Sequence, residues 1–100
     1  MPELPEVETI TRGLRGPLIG RRFTGVRVGW RKIVATPTVE EFQRRLVGQG
    51  ILDVKRRGKY IICELSGRDV LIFHLRMTGC LWVVPSDRPL DKYDYAIFSL

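Results

Sequence analysis

One hundred residues suffice for a single domain with a modest core, which excludes a multidomain machine within this polypeptide. Apolar residues at 44% and charged residues at 28% describe a folded globular chain, and no run approaches the roughly 20 apolar residues that span a membrane. Seventeen basic residues against eleven acidic ones leave +6 at neutral pH, an excess that fits a polyanionic partner such as nucleic acid and an ordinary basic protein equally well.

Taken in chain order, Pro5 to about Arg15 predicts a helix. Pro5 suits the first helical position, Glu6 and Glu8 complement the N-terminal dipole, Val7, Ile10 and Leu14 share a face, and Gly16-Pro17 is expected to stop it. Residues 12–32 carry Arg12, Arg15, Arg21, Arg22, Arg27, Arg31 and Lys32 with no acid. Such a run is either a solvated face or the footprint of a polyanion. Val26 to Trp30 alternates as a strand. Thr38 to Val47 predicts a second helix, with Thr38 and Glu41 as a capping box, Val39, Phe42 and Leu46 on one face, and Gly48 and Gly50 as the exit.

Ile51 to Val54 reads as a strand. Tyr60 to Leu65 and Val70 to Leu75 form a hairpin around Ser66-Gly67-Arg68-Asp69. Leu81 to Val84 and Tyr93 to Leu100 add strands on either side of the breaker segment Pro85 to Pro89. The predicted class is α+β and β-rich, a sandwich-like or rolled sheet with two flanking helices. Cys63 and Cys80 read as reduced, buried thiols, since no second Cys or His pair is spaced to complete a zinc site. Met1-Pro2-Glu3 lacks the basic and apolar regions of a secretory signal, so a cytosolic protein with no membrane partner is expected. The apolar strand ending on Phe98-Ser99-Leu100 suggests a chain cut from something longer.

Specific chemistry begins at Met1-Pro2-Glu3-Leu4-Pro5-Glu6-Val7-Glu8-Thr9. Removal of Met1 would leave Pro2 with a secondary amine, and an N-terminal amine titrates near 8, so part of it is unprotonated at neutral pH. Attack of such an amine on a sugar C1′ or an aldehyde gives an iminium (Schiff base) intermediate. Glu3, covalently adjacent, could exchange protons with the ring oxygen or leaving group. The plain alternative is a processing-tolerant Pro2 followed by helix-dipole acids.

That N-terminal block resembles the start of the bacterial formamidopyrimidine-DNA glycosylases, which excise 8-oxoguanine and ring-opened purines. Three further blocks fit in order. Arg56-Arg57-Gly58-Lys59-Tyr60 resembles the family's basic strand segment, His74-Leu75-Arg76-Met77-Thr78-Gly79 its His-Leu-x-Met-x-Gly loop, and Lys92-Tyr93-Asp94-Tyr95 its Lys-His-Asp-His segment. Related endonuclease VIII enzymes usually carry Gly where this chain has Leu4, so the match is closer to the purine-specific branch. Tyr93 and Tyr95 depart from the family pattern and put any role of its two histidines in doubt.

The resemblance implies that residues 1–100 are the N-terminal catalytic domain, with the helix-two-turn-helix motif and the zinc finger absent from this chain. It makes Pro2 the nucleophile and Glu3 its acid/base partner. Lys59 joins the catalytic set by contacting phosphate at the lesion, and His74 is a second phosphate contact. Met77 fills the gap left in the stack by the everted nucleotide. The bland alternatives are an exposed lysine, a core-edge histidine and a core methionine, and Arg76 is left unassigned. The implied activity is a bifunctional glycosylase and lyase that cleaves by β- and δ-elimination through the imine. Its partner would be damaged double-stranded DNA, its state a monomer and its place the bacterial cytosol or nucleoid. No cofactor is expected in this chain, since the family's one Zn sits in the missing finger. Alone, the chain should excise bases poorly and still trap on abasic DNA, because eversion of the base carries an unstacking cost that the missing contacts offset. From a different class, a non-enzymatic nucleic-acid-binding β module or an inactive fragment remains open.

Overall fold

The computed structural model describes residues 4–30, 32, 34–35, 37–75, 81, 83–85, 87 and 96–100. In chain order the elements are α1 (Leu4–Leu18), β1 (Gly25–Val28), α2 (Val39–Leu46), β2 (Ile51–Arg57), β3 (Tyr60–Leu65), β4 (Val70–His74) and β5 (Ala96–Ser99). The strands form two antiparallel sheets, β2-β3-β4 and β1-β5, so the expected α+β class with two helices is the one observed. The chain divides into two compact units, residues 1–21 with 50–83 and residues 22–49 with 84–100.

In the first unit α1 lies on β2 and β3. Val7, Thr11 and Leu14 form its buried face, against Ile51, Val54, Ile61, Cys63, Leu65, Leu71 and Leu75. Sequence spacing placed Ile10 on that face, but Thr11 takes it. The buried Thr11 hydroxyl donates to the Val7 carbonyl at 2.8 Å, so no polar atom is stranded, and Ile10 is left half-buried. Ile51 and Val54 are three apart and both buried, which strict alternation forbids. A register shift between Ile51 and Asp53 inserts an extra residue, and Leu52 is thrown outward. Burial pushes the Cys63 thiol up to about 11, so it is an inert core group, while Cys80 lies outside the described residues.

Two tight turns order this sheet. Gly58-Lys59 links β2 to β3, with Arg57 opposite Tyr60 and Gly58 at φ +61°, the positive value a II′-type turn demands at its first position. Ser66-Gly67-Arg68 links β3 to β4. Arg68 NH donates to the Leu65 carbonyl at 3.3 Å, Leu65 NH to Asp69 at 3.0 Å, and Arg68 sits in the left-handed region at φ 68°.

In the second unit the Thr38 hydroxyl caps α2 by accepting from the Glu41 amide at 3.3 Å, as the capping signal predicts. The Glu41 carboxylate lies within 4.0 Å of Arg45 and 3.9 Å of Arg44. Gln43 ties α2 to β1 through the Val26 carbonyl at 3.1 Å. Phe98 on β5 meets the rings of Phe23 and Phe42 at 5.9 and 6.3 Å.

Several boundaries differ from expectation, among them β1, which ends at Val28 instead of Trp30, and β2, which continues past Val54 to Arg57. Gly16-Pro17 does not stop α1, which runs to Leu18, with Ile19 NH still donating to Arg15 at 3.0 Å. Pro17 removes only the bond to the Gly13 carbonyl, and both residues are exposed where water serves that oxygen. The helix ends at Gly20 in a left-handed conformation, φ +91°. Leu81, Val83 and Val84 are not in a strand; Val83 and Val84 are both exposed, where an alternating strand would turn one inward.

Ile61 has 0% exposure and Ile72, one strand over on the outer face, has 56%. Ile61→Ala is therefore expected to cost about 2–5 kcal/mol, and Ile72→Ala less than about 1 kcal/mol. Urea unfolding of the two variants checks the difference, and equal losses would contradict this assignment of faces.

Candidate nucleic-acid interface

β3 is the middle strand of the first unit and organises its functional end. Ile61, Cys63 and Leu65 point to the core, so Tyr60, Ile62 and Glu64 lie on the opposite face. Lys59 occupies the turn immediately before β3 and is exposed. Tyr60 pairs with Arg57 on one side and with His74 on the other, which makes Arg57, Tyr60 and His74 a lateral row across three strands. The Tyr60 and His74 rings meet at 4.9 Å with a 40° tilt. Lys59 and His74, far apart in sequence, are thus brought to the same end of one sheet. Arg57 and Lys59 make no ion pair among the described residues. Farther along that face, Lys55 is held by Glu64 at 2.5 Å, and the carboxylate raises its pKa.

The start of α1 reaches the same end. Glu8 accepts from Arg56 Nε through one carboxylate oxygen and from Arg12 Nε through the other, each at 2.7 Å. Arg56 also donates to the Gly58 carbonyl at 3.0 Å, so one guanidinium ties α1 to the β2–β3 turn. Arg15 bonds Asp53 at 2.9 Å and the Val54 carbonyl near the start of β2, which shows that α1 runs antiparallel to that strand. The N-terminal end of α1 consequently sits beside Gly58-Lys59. Pro2, Glu3, Arg76, Met77 and the segment Lys92-Tyr93-Asp94-Tyr95 lie outside the described residues.

The acid-free run of cations is divided between the two units, with Arg31 outside the described residues. Arg12, Arg15 and Arg21 belong to the first unit, and Arg22, Arg27 and Lys32 to the second. Arg12 and Arg15 pair with Glu8 and Asp53, and Arg22 donates to the Gly48 carbonyl. Much of that charge is spent on the fold. Sequence reading also assigned Glu8 only to the helix dipole and passed over Arg57 and Tyr60 as individual site residues. Continuing the strand alternation past Val54 would have placed Arg57 beside Tyr60. No group of three or more His, Cys, Asp or Glu residues able to hold a metal occurs among the described residues.

An exposed end of an antiparallel sheet that sets cations beside aromatic rings is the kind of surface that holds a nucleic-acid backbone. The chain belongs to the formamidopyrimidine-DNA glycosylase family, whose N-terminal-domain model matches residues 1–100. The formamidopyrimidine-DNA glycosylase of Carboxydothermus hydrogenoformans is 50% identical over 100 residues, covering all of this chain and 38% of that protein. The Lactococcus lactis enzyme, solved non-covalently bound to DNA containing an abasic site, superposes with a TM-score of 0.92 at 35% identity, covering 98% of this chain and 37% of that one. A MutM complex with DNA containing carbocyclic 8-oxo-G gives the same TM-score at 36% identity, covering 98% of this chain and 36% of that one. The chain thus spans little more than a third of the length of these relatives.

Glu8 is held below its ordinary value of 4.5, first by the Arg56 hydrogen bond and then by that from Arg12. A carboxylate with a depressed folded pKa adds stability above its unfolded pKa and loses it as pH falls through the lower folded value. Wild type should therefore melt above Glu8→Gln at neutral pH, with the gap closing below about pH 4.5. Melting curves across that range check it; a gap unchanged by acid would contradict the clamp.

Proposed function

We propose that this chain is the catalytic N-terminal domain of a bacterial DNA glycosylase that removes oxidised and ring-opened purines and then cleaves the backbone at the resulting site. The observation that carries the reading is the convergence of Lys59, His74 and the start of α1 at one end of the β2-β3-β4 sheet. The family match over residues 1–100 supports the class of reaction. The partner is damaged double-stranded DNA, met by a monomer in the bacterial cytosol.

In this reading the damaged nucleotide leaves the stack, and Met77 fills the space behind it. The Pro2 nitrogen, unprotonated after loss of Met1, attacks C1′. The C1′–base bond breaks, its electron pair leaves with the base, and the base takes up the proton that the Pro2 nitrogen gives up. Glu3 protonates the ring oxygen as the sugar opens, leaving a C1′ iminium on Pro2. The iminium acidifies the C2′ proton. Its removal expels the 3′ phosphate, and a second elimination expels the 5′ phosphate. Lys59 and His74 hold the backbone throughout, through phosphates that carry no sequence information. The groups needed in this stretch are its own side chains and amine, with no metal or cofactor.

Borohydride should trap a covalent complex between the mature chain and abasic DNA, and acetylation of Pro2 or retention of Met1 should prevent it. A chain with a free Pro2 that gave no trapped complex would favour the non-enzymatic binding module. Glu3→Gln should lower base excision at least about 10²-fold, the ordinary contribution of a general acid. Trapping on a preformed abasic aldehyde should fall much less, since no glycosidic bond has to break. Equal losses in single-turnover excision and in trapping would remove Glu3 from the acid role.

A further inference from the structure

His74 makes no side-chain hydrogen bond or ion pair among the described residues; what its imidazole meets is the ring of Tyr60, at 4.9 Å and 40°. The two residues are register partners on β3 and β4, so the contact is built into the sheet. On the same face β4 offers only Val70 and Ile72, both exposed and apolar. The nearest acid of β3 on that face, Glu64, lies four residues away and is held by Lys55 at 2.5 Å. A histidine that grips a phosphate needs a fixed ring plane and an uncommitted N–H. A hydrogen bond to protein fixes the plane by consuming an N–H, whereas an aromatic neighbour fixes it and consumes none.

We propose that Tyr60 is the positioning residue for His74 at a DNA phosphate, restricting the imidazole while leaving both ring nitrogens available. The proposal rests on the reading of His74 as a phosphate contact. Tyr60 acts through His74, so its effect belongs to the ring and not to the hydroxyl. A wall of this kind lowers the rotamer freedom that binding would otherwise remove, an effect on affinity of about three- to tenfold.

The test is the affinity of the chain for a duplex carrying a tetrahydrofuran abasic analogue, measured at low salt. His74→Ala should weaken binding about tenfold. Tyr60→Leu and Tyr60→Thr, the second keeping strand propensity, should weaken it about three- to tenfold, and Tyr60→Phe should stay within about twofold. In a His74→Ala background, Tyr60→Leu should add less than about twofold, because the residue it positions is gone. The His74 ring-proton resonances should be displaced by the neighbouring ring current in wild type and Tyr60→Phe, and revert in Tyr60→Leu and Tyr60→Thr. Independent, additive losses, or a Tyr60→Phe variant as weak as Tyr60→Leu, would overturn the positioning role while leaving His74 a phosphate contact. An unchanged affinity in His74→Ala would instead overturn the phosphate reading, and this proposal with it.

Discussion

The pairing register of β3 is the constraint on which the candidate site depends. Burial of Ile61, Cys63 and Leu65 beneath α1 admits only one facing of that strand, since a one-residue slip would send all three to solvent and turn Tyr60 and Ile62 inward. With the facing settled, hydrogen bonding on both edges places Arg57 and His74 on either side of Tyr60. The two-residue turn then leaves Lys59 at the edge of that row. A site on a central strand inherits the rigidity of the core behind it, which suits the phosphate contacts proposed for Lys59 and His74.

Charge in this protein has two uses that the net figure of +6 does not separate. Arg12, Arg15, Arg22 and Arg56 each bond a carboxylate or carbonyl of the fold: Arg12 within α1, Arg15 and Arg56 between α1 and β2, and Arg22 at the Gly48 loop. Exposed pairs of this kind contribute modestly to stability, and their value here is geometric, as in the Arg56 bond that joins Glu8 to the β2–β3 turn. Arg57 and Lys59 carry charge not committed to an ion pair among the described residues. It is cations of this second sort that can release counterions from a nucleic-acid backbone and make binding salt-dependent.

Much of the architecture was legible from local chemistry. The Thr38 cap, the limits of β3, the hairpin around Gly67 and the helix exit at Gly48 all follow from interactions within a few residues of chain, and they appear as expected. Where local rules compete, they failed. Gly16-Pro17 looked like a stop, yet a proline in a final turn forfeits one exposed hydrogen bond and the helix continues. Val7, Ile10 and Leu14 and the observed Val7, Thr11 and Leu14 are both helical faces, and only the sheet beneath decides between them. The β2–β3 hairpin was hidden because Lys55, Arg56 and Arg57 are poor strand formers whose pairing comes from β3.

The sequence by itself determined the chemistry available: the Pro2-Glu3 start, the blocks around Lys59 and His74, and the family to which they point. Those are properties of residue identity and order, and they survive without coordinates. Tertiary structure alone decided which groups meet. Glu8 and Arg56 are 48 positions apart, so no local pattern announces that pair, and the predicted hairpin left open which residue of β4 faces Tyr60 until its register was set. It also divided the acid-free run of cations between two units and paired several of them with acids or carbonyls from elsewhere. Contacts of that separation are set by which apolar faces can be buried together, and that is a property of the folded chain as a whole.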